Sequence, residues 1–224
     1  MIDIKQQNEL FGLIGEKIKR KIECYVIGGS AMMYYGMKDA TKDIDLVFEN
    51  EKDMGELVHL LKDLGYKEKD TKILYLKKKN TPILLERETR FDIFLDKIIS
   101  TVLSDTMKER TRAVYEYNNL IIKVISPEDL IITKCATERA GDRKDALEIM
   151  KKTNINWDII IKESIHQAEL TPYLFPVFLL DFLSELKIDL KADIPKEILN
   201  KIRKISEDML EKKLKNPRKK QTLS

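Results

Sequence analysis

The stretch "YVIGGSAMMYYGMKDATKDIDLVF", Tyr25 to Phe48, decides the fold. It joins an apolar run to Gly28-Gly29-Ser30, passes through Ala31 to Lys42, and ends in Asp43-Ile44-Asp45-Leu46. Ile22 to Ile27 reads as a strand that the two glycines interrupt, with Ser30 placed to cap a short helix through Met37. Asp43 to Phe48 reads as a second strand. Side chains two apart in a strand share a face, so Asp43 and Asp45 project together while Ile44, Leu46 and Phe48 form the apolar side.

Outward from this stretch the pattern stays mixed. Leu10, Phe11, Leu13, Ile14 and Ile18 recur at helical spacing within Lys5 to Arg20. Asp53 to Leu64 predicts a helix closed by Gly65, and Ile73 to Lys77, Pro82 to Glu86, Arg90 to Leu95 and Leu120 to Ile125 predict strands. Ser126-Pro127-Glu128-Asp129 carries the residues of a helix start. Everything beyond reads helical: Pro127 to Glu138, Arg143 to Lys152, Trp157 to Ala168, Pro172 to Leu186 and Pro195 to Leu214. The expected class is α+β, a mixed sheet with flanking helices over residues 1–125 and a helical subdomain over 126–224, with no internal repeat.

Composition narrows the function classes. With 224 residues, 43% of them hydrophobic, the chain is long enough for a buried core. Lysine and arginine total 41 against 38 acidic residues, so the net charge of +3 does not demand a nucleic-acid partner. Cys24 and Cys135 stand far apart with no Cys/His cluster, which leaves no zinc ligand set and suits a reduced, cytoplasmic chain. No stretch approaches the roughly 20 apolar residues that span a bilayer. Asp3, Glu9 and Glu16 break any signal-peptide pattern. The basic end, "EKKLKNPRKKQTLS" from Glu211, reads as a solvated terminus or as a source of sequence-independent phosphate contacts to RNA.

Two carboxylates as close as Asp43 and Asp45 repel each other unless a cation neutralises them, and magnesium with oxygen ligands fits that need. A third appears in "RFDIFLD", where Phe91, Ile93 and Leu95 form the apolar face and Asp92 looks the other way. Three converging carboxylates can hold two magnesium ions about 3.5–4 Å apart. Gly28-Gly29-Ser30 would then cradle a triphosphate through backbone N–H groups and the serine hydroxyl. Alone, an Asp-x-Asp is as well a solvated strand end and a Gly-Gly-Ser a plain turn. Joined in this order, with a third aspartate on a later apolar strand, they point to a site.

In these residues the chain resembles the DNA polymerase β-like nucleotidyltransferase superfamily, whose pattern is a hydrophobic strand, Gly-Gly/Ser, a gap and Asp-hydrophobic-Asp-hydrophobic. Within it the chain is similar to the stand-alone AbiEii toxin-like and DUF6036-type branch, because "SPEDLIITKCATERAGDRKDALEI" offers Lys134, Arg139, Lys144 and Asp145 in the branch's order. The resemblance runs from Tyr25 to Ile149. It implies transfer of a nucleoside monophosphate from an NTP to an acceptor hydroxyl on RNA or tRNA, a protein or a small molecule. Asp43 and Asp45 would bind Mg2+ or Mn2+, with Asp92 as third ligand or general base. Lys134 would neutralise triphosphate charge, and Asp145 would orient that lysine or the acceptor. Nucleotide contacts would come from Gly28, Gly29, Ser30, Thr41, Lys42, Lys134, Arg139 and Lys144. A toxin with a cognate antitoxin as partner is part of the same implication.

One position departs from the branch. An arginine usually stands two residues before the threonine, where this chain has Asp39. Lys38 or Lys42 is near enough to compensate in charge, although a flexible ammonium does not reproduce a guanidinium fork. Asp39 therefore argues for a competing reading, a nucleotide-binding or protein-interaction module that kept the fold without turnover. Lys134 and Arg139 also read as ordinary surface cations, and Asp145 as a residue favoured near a helix start. His59 and His166 lack partners for catalysis or metal binding. The run "LFPVFLLDFL" from Leu174 reads as core of the helical part or as a dimer surface.

Overall fold

The computed structural model describes residues 1–69, 82–137 and 139–215. The chain runs through β1 (Ile2–Asp3), α1 (Ile4–Lys17), β2 (Ile22–Ile27), α2 (Gly28–Tyr34), β3 (Ala40–Thr41), β4 (Asp43–Phe48), α3 (Glu51–Asp63) and β5 (Lys67–Lys69). It continues with β6 (Ile83–Glu86), β7 (Arg90–Leu95), β8 (Lys97–Ile98), β9 (Thr101–Val102), α4 (Asp105–Glu109), β10 (Ala113–Tyr117) and β11 (Leu120–Val124). Helices α5 (Pro127–Cys135), α6 (Ala140–Lys152), α7 (Trp157–Leu170), α8 (Phe175–Asp189) and α9 (Lys196–Lys215) follow.

A seven-stranded sheet in the order β10-β11-β2-β4-β7-β6-β5 carries the first half. β11 pairs parallel with β2 and β4 parallel with β7; the other neighbours run antiparallel. The α+β expectation of a mixed sheet with flanking helices describes this arrangement. The apolar alternation explains the centre, because Ile44, Leu46 and Phe48 of β4 and Phe91 and Ile93 of β7 are all buried. Helix α3 lies against β2, β4, β6 and β7 and buries Leu57 and Leu61. The Tyr66 ring meets Phe91 edge to face, with centroids 5.4 Å apart.

Several boundaries differ from the sequence expectation, each for a local reason. Helix α2 starts at Gly28, whose φ of +61° turns the chain out of β2 without a side-chain cap. Ser30 lies buried inside that helix, and its hydroxyl donates to the Asp43 carbonyl at 3.2 Å. Gly65 closes α3 at φ +87°, as its position suggested. Strand β10 was not among the expected strands because none of its residues is fully buried, although the Asn118-Asn119 turn, with Asn118 at φ +52°, signals a hairpin. The run from Leu174 is core: Phe175, Leu179, Phe182, Leu183 and Leu186 of α8 are buried. The strand expected over Ile73 to Lys77, Glu138 and the basic end beyond Lys215 lie outside the described residues.

An ionic cluster ties α4, which leads into β10, to α5 and α7. Arg110 donates to Asp129 at 2.6 Å and also to Glu163, and both carboxylates are buried. Ser104 and Thr106 donate further bonds to Glu163 at 2.8 and 2.6 Å. Removing the guanidinium leaves two buried anions without their cation. Arg110→Met is therefore expected to cost about 3–5 kcal/mol in urea unfolding, and a loss below about 1 kcal/mol would show that the cluster is well solvated.

Candidate functional site

Parallel pairing of β4 with β7 sets Asp43 opposite Arg90 and Asp45 opposite Asp92. Each strand presents alternate residues on one face, so three carboxylates and one guanidinium share a single patch. Arg90 grips Asp92 at two points, Nε to Oδ1 at 2.7 Å and Nη2 to Oδ2 at 3.1 Å, and its Nη2 also donates to Asp43 Oδ2. Asp45 stands outside that grip. Burial, and then the charges of Asp43 and Asp92, hold its carboxyl well above the usual carboxylate range. Burial likewise pushes Asp92 up to about 6, against the pull of Arg90.

Gly28 is required here twice over. A Cβ at this position would meet Asp45 Oδ2 at 2.3 Å, and the backbone has φ +61°. At Gly29 a Cβ would lie 2.5 Å from Thr41 Oγ1. The bare backbone of the two glycines makes the floor of a cleft of about 490 Å³, which the carboxylates enter from β4 and β7.

The opposite wall comes from α5, α6 and the segment between them. Lys134, 4% exposed, donates to Asp142 Oδ1 at 3.0 Å and to Asp145 Oδ2 at 2.8 Å. Lys38, from the segment after α2, donates to both oxygens of Asp145 at 2.8 and 3.0 Å. Asp145 is thus clamped between two ammonium groups. Burial opposes the charged form of Lys134, yet Asp142 and Asp145 outweigh it and raise its pKa.

The structure brings Gly28, Gly29, Thr41, Lys42, Asp43, Asp45, Asp92, Lys134, Arg139 and Asp145 to this one cleft. Two sequence candidates stand apart from it. Ser30 is turned inward to the Asp43 carbonyl, and Lys144 is exposed on α6 and does not line the cleft. Asp39 is also exposed and absent from the walls, whereas Lys38 and Lys42 line them. Sequence reasoning passed over Arg90 and Asp142. Arg90 shares a strand face with Asp92 by the period of two, and Asp142 lies one helical turn before Asp145, so each had a readable signal.

The cysteines take no part in this chemistry. Both are buried free thiols, and burial pushes the Cys135 thiol up to about 12 and raises Cys24 as well. His59 and His166 lie beside Asp63 and Glu169 on exposed helix faces.

Hard oxygen donors around a half-buried, charge-crowded Asp45 match the chemistry of magnesium or manganese. As placed, Arg90 spans Asp43 and Asp92, and among the described residues no three carboxylate, imidazole or thiol side chains close on one ion position. The donor types suit a divalent cation, and Arg90 holds oxygens of two of the three carboxylates, Asp43 and Asp92.

The clamp makes stability depend on pH. Burial favours the neutral acid at Asp145, but Lys134 and Lys38 outweigh it and hold the carboxyl below its ordinary value. Its contribution is then present above the unfolded value of about 4 and is lost as pH falls through the lower folded value. Asp145→Asn is expected to be less stable than the parent chain at pH 7, with the gap narrowing at pH 3. Denaturant melts at the two pH values check this, and an unchanged gap would count against the clamp.

Residues 4–173 match the family described as "Nucleotidyltransferase of unknown function (DUF6036)". Among solved structures, the chain is similar to an antigenic nucleotidyltransferase-like protein from Paracoccidioides brasiliensis, at 15% identity over 88% of this chain and 98% of that one, with a TM-score of 0.49. It is also similar to ANT(2")-Ia in complex with adenylyl-2"-tobramycin, at 16% identity over 80% of this chain and 98% of that one, with a TM-score of 0.40. No curated protein matches. The family match covers most of the chain, and the protein belongs to the DUF6036 family of nucleotidyltransferases.

Proposed function

We propose that this cleft transfers a nucleoside monophosphate from an NTP to an acceptor hydroxyl. The observation that supports it is the opposition of charges across one cleft. Asp43, Asp45 and Asp92 stand on the sheet side, and Lys38, Lys42, Lys134 and Arg139 also line the cleft. Asp43, Asp45 and Asp92 would hold magnesium or manganese, which supplies Lewis-acid activation of the attacking oxygen and charge neutralisation at the phosphate.

The chain's own residues supply position and field. The bare glycines let the Asp45 carboxylate and the Thr41 hydroxyl close on the start of α2, where a Cβ would collide with each. Lys42 and Arg139, exposed at the cleft, meet triphosphate charge, while Lys134 is fixed by Asp142 and Asp145 before substrate arrives. Lys38 supplies the cation that Asp39 does not, although it does so as a point charge already shared with Asp145. The last turn of α9 carries Lys212, Lys213 and Lys215, which favours an RNA acceptor over a small molecule.

A second reading, nucleotide binding without turnover, draws on Asp39 and on the hold of Arg90 over two of the carboxylates. The discriminating experiment is incubation with each α-labelled NTP, magnesium and total RNA or cell extract. Label is expected to move to a macromolecule, and Asp43→Ala/Asp45→Ala is expected to reduce that transfer by roughly 100-fold or more. Magnesium-dependent thermal stabilisation by an NTP with no transfer of label would favour the second reading.

A further inference from the structure

We propose that Arg90 is a built-in rival of the divalent cation: its guanidinium holds Asp43 and Asp92 together in the resting protein, and a nucleotide's phosphates must draw it off before metal binds tightly. The inference rests on the metal reading of the same carboxylates. Arg90 is set directly across from Asp43 by the β4–β7 register and lies two residues before Asp92, so it is delivered to the carboxylates by the sheet itself. Its contacts use Nε and Nη2, and it takes one oxygen of Asp43 and both of Asp92.

The two sides of this contact differ in freedom. The Asp92 side chain is 5% exposed and fixed, whereas the Arg90 side chain is 36% exposed. A guanidinium keeps its proton at any accessible pH, so it cannot yield the carboxylates by deprotonating and yields them only by moving. Phosphate offers a receptor for its planar fork as good as a carboxylate. While Arg90 remains in place, a divalent ion gains fewer free carboxylate oxygens and meets a further positive charge nearby. Its apparent affinity then falls by the fraction of molecules in which the arginine has left. Nucleotide and metal become coupled ligands, each favouring the other by the same factor.

The test is Mn2+ binding to the full chain, read by the electron paramagnetic resonance of free Mn2+, without nucleotide and with each NTP. Arg90→Gln is expected to bind Mn2+ about 10-fold or more tightly than the parent chain without nucleotide, and to lose most of the enhancement that an NTP gives. Arg90→Lys, which keeps the charge but not the fork, is expected to fall between and serves if the glutamine variant melts without cooperativity. Adding Asp45→Ala to Arg90→Gln is expected to remove the gain, which locates the ion. A folded Arg90→Gln chain that binds Mn2+ no more tightly than the parent would overturn the rivalry and leave Arg90 as a support for Asp92. If no chain binds Mn2+ with or without any NTP, the metal reading itself fails, and the inference with it.

Discussion

The in-register parallel pairing of β4 with β7 is the constraint on which the rest depends. It fixes which residues face each other, and through the pleat it sends Ile44, Leu46, Phe91 and Ile93 to the core while Asp43, Asp45 and Asp92 go to the other side. Core and chemistry are thus specified by the same backbone hydrogen bonds. A slip of one residue would bury the carboxylates and expose the apolar set, so folding energy enforces the geometry of the site.

That coupling carries a cost, visible in how the carboxylates are balanced. Burial and mutual repulsion raise the pKa of Asp45 and Asp92, and Arg90 relieves two of the three charges. On the opposite wall the balance is inverted, since Lys134 and Lys38 are each matched by an acid. The same logic recurs away from the cleft, where Arg110 at the end of α4 neutralises Asp129 of α5 and Glu163 of α7. Apart from Asp45, these charges are paired, and the pairs tie α5 to α6 and the α4 segment to α5 and α7.

Much of this was legible in the sequence because it follows from a period of two. β4 and β7 begin and end where the alternation of residues says they should, β2 spans the mostly apolar run that the glycines close, and the three aspartates reach one cleft. What escaped depends on tertiary placement. Ser30 has the chemistry of a cap, but Gly28 bends the chain two residues earlier and turns that hydroxyl inward. Lys134 and Lys144 are alike as letters; only the docking of α6 on α5 buries the first beside Asp145 and leaves the second in solvent. Edge strand β10, half-buried at Ala113 and Tyr117 and exposed between them, has no fully buried residue to announce it.

The burial of Cys135 has a consequence for the environment in which the cleft can work. This thiol follows Lys134 directly in α5, in the wall that faces the carboxylates, and its proton is held far more firmly than that of a free cysteine. Oxidants and alkylating agents act on the thiolate. With that form disfavoured and the sulfur buried in the core, Cys135 is a poor target for such reagents while the chain is folded.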